Sequence, residues 1–354
     1  MKRLTLADMP WRYDNFARML LASLLVAALI LTAGCGEESS PASDAQRAQA
    51  QPPMRVVTLA PALTQMIRDL GQTQWLVGVA EKDFAAPGDL PVVGNFIDID
   101  TEKLLSIRPT HVLMMGSVKG TPAVLTELAA QGRFQLVVYA YPNSIEELGE
   151  ILYDEQPVEP SAANSIATEV AASAKATPAG LGRVLHREHE AIHLKYRMFT
   201  QLARLSALTA NLDRPTVLLV IASQGTVMAS GPGTVHDQLL GPAGGANAVA
   251  DATVTAPEYG REMLLAVAPQ VIVLLRPGDP PLEPNDPRLD VFAGLDIPAL
   301  RDGRIVLLND PLILLPSTTL PRIAADLAKA IHPRIAEQVD QLFLDEPTLK
   351  SQSP

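Results

Sequence analysis

The 354-residue sequence predicts an α/β protein of two lobes with mainly parallel β-sheets, built from βαβ units and joined by a long interlobe α-helix. Three observations carry this expectation. Short β-branched runs alternate with helix-length patterns in two separate stretches. A strand-free stretch lies between them. One helix–strand pattern occurs twice, once in each half.

The first lobe is expected over residues 55–143. Arg55-Val56-Val57-Thr58-Leu59 reads as a buried strand. Pro61 is suited to the first turn of a helix that runs to about Leu70 and stops at Gly71. Further strands are expected at Leu76–Val79, His111–Met115 and Gln135–Tyr139. Residues 144–212 form a helical linker with an inserted loop near Pro157–Pro178, and its last part, from about Leu181 to Leu208, reads as one long helix. The second lobe, residues 213–335, has strands at Thr216–Ile221, Val271–Leu275 and Arg304–Leu308. Its helices are expected near Thr234–Leu240, Glu262–Val267 and Ser317–Ala330, and residues 336–354 read as a C-terminal tail.

The repeated pattern is specific. Glu102-Lys103-Leu104-Leu105-Ser106-Ile107-Arg108-Pro109 precedes the strand His111–Met115. Glu262-Met263-Leu264-Leu265-Ala266-Val267-Ala268-Pro269 precedes Val271–Leu275. In both, a glutamate opens a short helix, a Leu-Leu pair packs inward, and a proline closes it before a buried strand.

Ahead of the lobes, Lys2, Arg3, Arg12 and Arg18 precede an apolar run, Met19 to Leu31, that suits the core of a signal peptide. Met9 is an alternative start. The run ends in Leu31-Thr32-Ala33-Gly34-Cys35, which resembles the bacterial lipoprotein signature, so residues 1–34 are expected to be a lipoprotein signal peptide and Cys35 the lipidation site. Cys35 is the only cysteine and has no internal partner for a disulfide. Residues 35–54 are polar, rich in Ala and Gln, and read as a flexible tether.

Composition excludes some functions. A formal charge of -11 argues against an electrostatic grip on nucleic acid. No G-x-S-x-G elbow, phosphate loop or H-E-x-x-H motif is present, so no catalytic constellation can be named. Gly231-Pro232-Gly233 and Gly241-Pro242-Ala243-Gly244-Gly245 read as tight turns near an interlobe cleft.

The segments Val56-Val57-Thr58-Leu59-Ala60-Pro61-Ala62-Leu63-Thr64, Val77-Gly78-Val79, Val93-Gly94 and Asp100-Thr101-Glu102-Lys103-Leu104 resemble the first lobe of the cobalamin-, haem- and siderophore-binding periplasmic proteins. Ser144-Ile145-Glu146-Glu147-Leu148 resembles the start of that family's interlobe helix. Gln238-Leu239-Leu240, Gly244-Gly245-Ala246-Asn247 and Glu262 through Pro269 resemble its second lobe, and Pro321-Arg322-Ile323 with Ile331-His332-Pro333 its closing helix.

The resemblance implies a non-enzymatic, monomeric clamp without an intrinsic cofactor. It would take a bulky metal complex (a cobalt corrinoid, haem or a ferric siderophore) between its lobes and deliver it to an ABC importer, a permease dimer with its ATPase. Glu102 and Glu262 match the family's permease-docking glutamates. By alignment the ligand would meet Lys82 or Asp83, Phe96, Met228, Ala256 or Tyr259, and Asp310. The family's cobalamin binders often carry aromatics at several of these positions, and Met228 and Ala256 depart from that pattern. A second reading is an extracytoplasmic sensor or assembly lipoprotein of the same fold without a transport role.

Two residue sets remain. Tyr139 and Tyr141 flank a strand end; Tyr139 suits the core and Tyr141 is a candidate iron ligand. His186, His189 and His193 have helical spacing and are candidate metal ligands, but Arg183, Arg187, Lys195 and Arg197 around them favour a solvated helix face.

Overall fold

The computed structural model describes residues 54–95, 98–116, 120–154 and 179–344. The expected signal peptide, Cys35, the tether up to residue 53, Phe96, the inserted loop at 157–178 and residues 345–354 lie outside the described residues. Among the described residues, no helix is long and apolar enough to cross a membrane.

The first lobe is a four-stranded parallel sheet in the order β2-β1-β3-β4, formed by β1 (Val56–Thr58), β2 (Leu76–Val79), β3 (His111–Met115) and β4 (Gln135–Tyr139). Helices α1 (Pro61–Asp69), α2 (Thr101–Ile107) and α3 (Ala123–Ala130) connect these strands. As expected, Pro61 sits in the first turn of α1, and Gly71 takes φ 74° just beyond its end.

After α4 (Ile145–Leu152), the helical region differs from the sequence reading. The single long helix is two, α5 (Leu181–Val184) and α6 (Glu188–Thr209). His186 stands between them at φ 52°. The chain doubles back so tightly here that a Cβ on Gly182 would lie 2.4 Å from the Ala191 Cβ. The Arg187 amide donates to the Gly182 carbonyl at 2.6 Å, closing the corner. No proline or glycine interrupts residues 183–188, so the break has no local signal.

The second lobe comprises β5 (Thr216–Gln224), β6 (Thr226–Ala229), α7 (Val235–Ala243), β7 (Ala246–Asn247), β8 (Glu258–Tyr259), α8 (Arg261–Val267), β9 (Val271–Leu275), α9 (Pro298–Arg301), β10 (Ile305–Leu308) and α10 (Leu320–Ile331). Its sheet runs β10-β9-β5-β6-β8, with β7 beside β5. The β10, β9 and β5 strands are parallel, whereas β6 and β8 add an antiparallel margin reached through a turn at Gly225. That margin is absent from the sequence reading because β6 and β8 are too short to show a period. Gly241-Pro242-Ala243 is also not a turn: it is the last part of α7, and Gly244 at φ 78° is its left-handed cap. Finally, Ala336–Leu344 of the expected tail forms a helix, α11, that buries Val339 against the body.

The internal repeat is reproduced in the backbone of both lobes. Helix α2 ends on Arg108 at φ 53° and α8 on Ala268 at φ 44°, each followed by its proline. In each lobe the following strand pairs with the first: β3 lies on β1 and β9 on β5. The Thr110 amide donates to the Arg55 carbonyl at 2.8 Å, and the Gln270 amide to the Thr216 carbonyl at 3.0 Å.

One apolar core passes through both lobes. It runs from Leu63, Met66 and Ile67 of α1, along Leu194, Met198, Leu202 and Leu205 of α6, to Leu239, Ile323 and Leu327 of the second lobe. The buried residues of α6 recur at three- and four-residue intervals, which is the helical repeat, so one stripe of this helix supports both lobes. Each such leucine contributes about 1.5–3 kcal/mol by burial.

Candidate ligand cleft and docking face

In open α/β sheets, ligands meet the loops at the carboxyl ends of the strands. The loop after β2 is the best organised of these. Lys82 holds φ 57° with its side chain in solvent. Asp83 is half-buried: its carboxylate accepts from Thr64 Oγ1 at 2.6 Å and from the Ala85 amide at 2.9 Å. Thr64 in turn meets Thr58 Oγ1 at 2.6 Å, and Arg68 donates to the Ala85 carbonyl at 2.9 Å. Burial pushes the Asp83 carboxyl above its usual value, against the opposing pull of the Thr64 hydrogen bond. Asp83 therefore builds the loop rather than offering a free carboxylate.

The side chain this loop presents is Phe84, which is 63% exposed. Sequence reasoning passed over it. The available signal was a large aromatic beside Asp83 in a chain with only seven phenylalanines. At the other end of the sheet, Tyr141 follows β4 and is also exposed, whereas Tyr139 is core: its hydroxyl donates to the Ala179 carbonyl at 3.1 Å.

In the second lobe, Met228 is half-buried on β6 and Ala256 is exposed in the approach to β8. Tyr259 is not available to a ligand. Opposite Val227 in the β6–β8 pair, it turns into the core formed by Leu218, Ile272 and Phe292. Asp310 is committed to the loop after β10, where it accepts from the Leu312 amide at 2.8 Å and pairs with Arg322 at 3.1 Å.

Among the described residues, polar contacts at two places connect the lobes. Gln238 of α7 accepts from the Ile145 amide at 3.0 Å and donates to the Asn143 carbonyl at 3.2 Å. Thr318, beyond β10, donates to Asp69 at the end of α1. A concavity beside the β5–β6 turn, about 370 Å³ in volume, holds none of the expected ligand residues. Its two cations are already engaged: Arg261 donates to the Val291 and Ala293 carbonyls, and Arg288 pairs with Asp286 and Asp279.

Glu102 and Glu262 occupy the first turn of α2 and of α8, one per lobe. Both are exposed, and among the described residues neither side chain has an ion pair or hydrogen bond. Beside Glu262, Met263 and Leu265 are also in solvent. The three candidate histidines do not share one face, and His189 and His193 are exposed, as the reading of a solvated helix face expects. His189 and His193 share a face of α6, while His186 lies in the corner before it.

A family model described as periplasmic binding protein matches residues 56–312, and the chain belongs to that family. Its members are binding proteins rather than enzymes. Similar solved structures include a periplasmic heme binding protein from Pseudomonas aeruginosa, with 25% identity, TM-score 0.60, and coverage of 80% of this chain and 94% of that one. The periplasmic heme binding protein HutB of Vibrio cholerae is 20% identical with TM-score 0.60, covering 80% and 100% of the two chains. The periplasmic vitamin B12 binding protein BtuF of Vibrio cholerae is 16% identical with TM-score 0.54, covering 81% and 99%. No curated protein matches the sequence.

Proposed function

We propose that this chain is the substrate-binding subunit of an ABC importer. It captures a bulky metal complex between its lobes and hands it to a permease dimer powered by an ATPase. The observation that carries the reading is the pair of exposed, unpartnered glutamates at equivalent turns of duplicated helices, Glu102 and Glu262. Two like charges related by an internal repeat match a transporter that is itself two-fold, and charge complementarity fixes their register on it. The cargo class is a cobalt corrinoid, haem or a ferric siderophore, supported by heme and vitamin B12 binding among the similar structures. Phe84 and Tyr141 supply exposed aromatic surface for a flat macrocycle at the strand ends. Export and attachment through a lipid on Cys35 belong to the same reading.

The test is a titration of the full-length chain, purified in detergent, with cobalamin, cobinamide, haemin and ferric siderophores. Absorbance and thermal unfolding are followed together. A ligand present at one hundred times its Kd stabilises a folded binder by about 2.7 kcal/mol. A saturable rise in Tm with one of these compounds is the expected result. A well-folded sample indifferent to all of them contradicts the cargo assignment.

A further inference from the structure

The chain has six histidines. Three have ring nitrogens engaged within the fold: His111 Nδ1 lies 2.9 Å from Thr110 Oγ1, His236 Nε2 lies 2.8 Å from the Ile313 carbonyl, and His332 Nε2 lies 3.0 Å from the Gly244 carbonyl. His189 and His193 behave differently. They stand one turn apart on α6, both exposed, and their Nε2 atoms approach each other to 3.1 Å with the rings edge-on at 66°.

That separation has a chemical meaning. Two nitrogens each about 2.0–2.1 Å from one ion stand about 2.9 Å apart at a right angle and about 3.4 Å apart at the tetrahedral angle. The observed 3.1 Å, an imidazole–imidazole hydrogen bond in the metal-free protein, falls between these limits, so an ion that displaces the shared proton as the rings turn meets both nitrogens at a chelating separation. The helix holds their Cα atoms at fixed spacing, which removes most of the ordering cost of chelation.

Two of the neighbouring cations are directed elsewhere. Lys195 donates to the Tyr153 carbonyl at 3.1 Å, and Arg187 lies over the Trp75 ring at 4.8 Å and pairs with Glu190. We propose that His189 and His193 form a solvent-facing, two-imidazole chelate for a divalent transition ion of the Cu²⁺, Ni²⁺ or Zn²⁺ class. Imidazole is a ligand these ions share. Among the described residues, no group of three or more His, Cys, Asp or Glu converges as a metal site, so the remaining coordination positions belong to water or to a donor from another molecule. The site is exchangeable, clips one turn of the helix that supports both lobes, and is independent of the cargo reading.

Isothermal titration of the untagged full-length chain with CuCl₂, NiCl₂ and ZnCl₂ tests this. Copper EPR at one equivalent reports the nitrogen ligands. Saturable one-to-one binding is expected, with nitrogen superhyperfine structure from two imidazoles. His189→Ala and His193→Ala should each weaken it at least tenfold and reduce the nitrogen count, while His186→Ala should leave it unchanged. Both chelating side chains are in solvent, so the variants remain folded, which thermal unfolding in the absence of metal checks. No saturable binding to the wild type, or equal weakening by His186→Ala, overturns the proposal.

Discussion

Asp83 shows how one carboxylate can organise a site without being its ligand. It collects the Thr64 hydroxyl and the Ala85 amide, and the loop so formed displays Phe84 to solvent. Its raised pKa sets the sign of a pH effect. A carboxyl that titrates higher in the folded than in the unfolded state contributes stability below the unfolded value, and this is lost as pH rises through the folded one. Relative to Asp83→Asn, the wild type should therefore lose Tm as pH rises from below 3.8 through the raised value. Parallel melting curves of the two proteins from pH 3 to 7 check this, and a constant difference would remove the linkage.

Helices α2 and α8 carry the same structural oddity, a left-handed cap that is not glycine. An L-residue in that conformation costs about 1–2 kcal/mol, whereas glycine gives back about 0.5–1 kcal/mol through its freer unfolded chain. Arg108→Gly and Ala268→Gly should each stabilise the protein by about 0.5–1 kcal/mol, measured by denaturant unfolding. The Arg108 carbonyl, which accepts from Arg55 Nε at 3.2 Å, is kept by the substitution. A loss of stability of similar size would mean that the Arg108 and Ala268 side chains contribute more than their backbone strain costs. These helices were legible in advance because their signals are local: a glutamate in the first turn, a leucine pair and a terminating proline, although only the first leucine of each pair, Leu104 and Leu264, turns inward and Leu265 stays in solvent. The α5–α6 corner was not legible, because it depends on Gly182 meeting Ala191 across a reversal of the chain.

At the scale of the whole molecule, α6 is shared by both lobes, so the distance between Glu102 and Glu262 is set by packing around one helix. A rigid spacing lets two weak surface contacts act as one recognition event. Replacing both, Glu102→Arg with Glu262→Arg, should leave ligand affinity of the purified protein unchanged and abolish uptake through the cognate importer. Uptake by cells carrying the double variant, read beside the titration, checks it; undiminished uptake would remove the docking role.

The sequence alone determined the α/β class, the two lobes, the internal repeat and the places of Glu102 and Glu262 in the first turns of the repeated helices. Each depends on periodicity or on residues adjacent in the chain. Tertiary structure alone decided which polar residues remain free. Asp310, a ligand candidate by resemblance, is paired with Arg322 and an amide, while Glu262 stands open. Tyr259, an aligned ligand position, turns into the core through a two-residue strand pairing, whereas Tyr141 stays exposed. His189 and His193 became a pair, and His186 left them, through a chain reversal. Whether a side chain is free depends on partners distant in sequence, which no local pattern encodes.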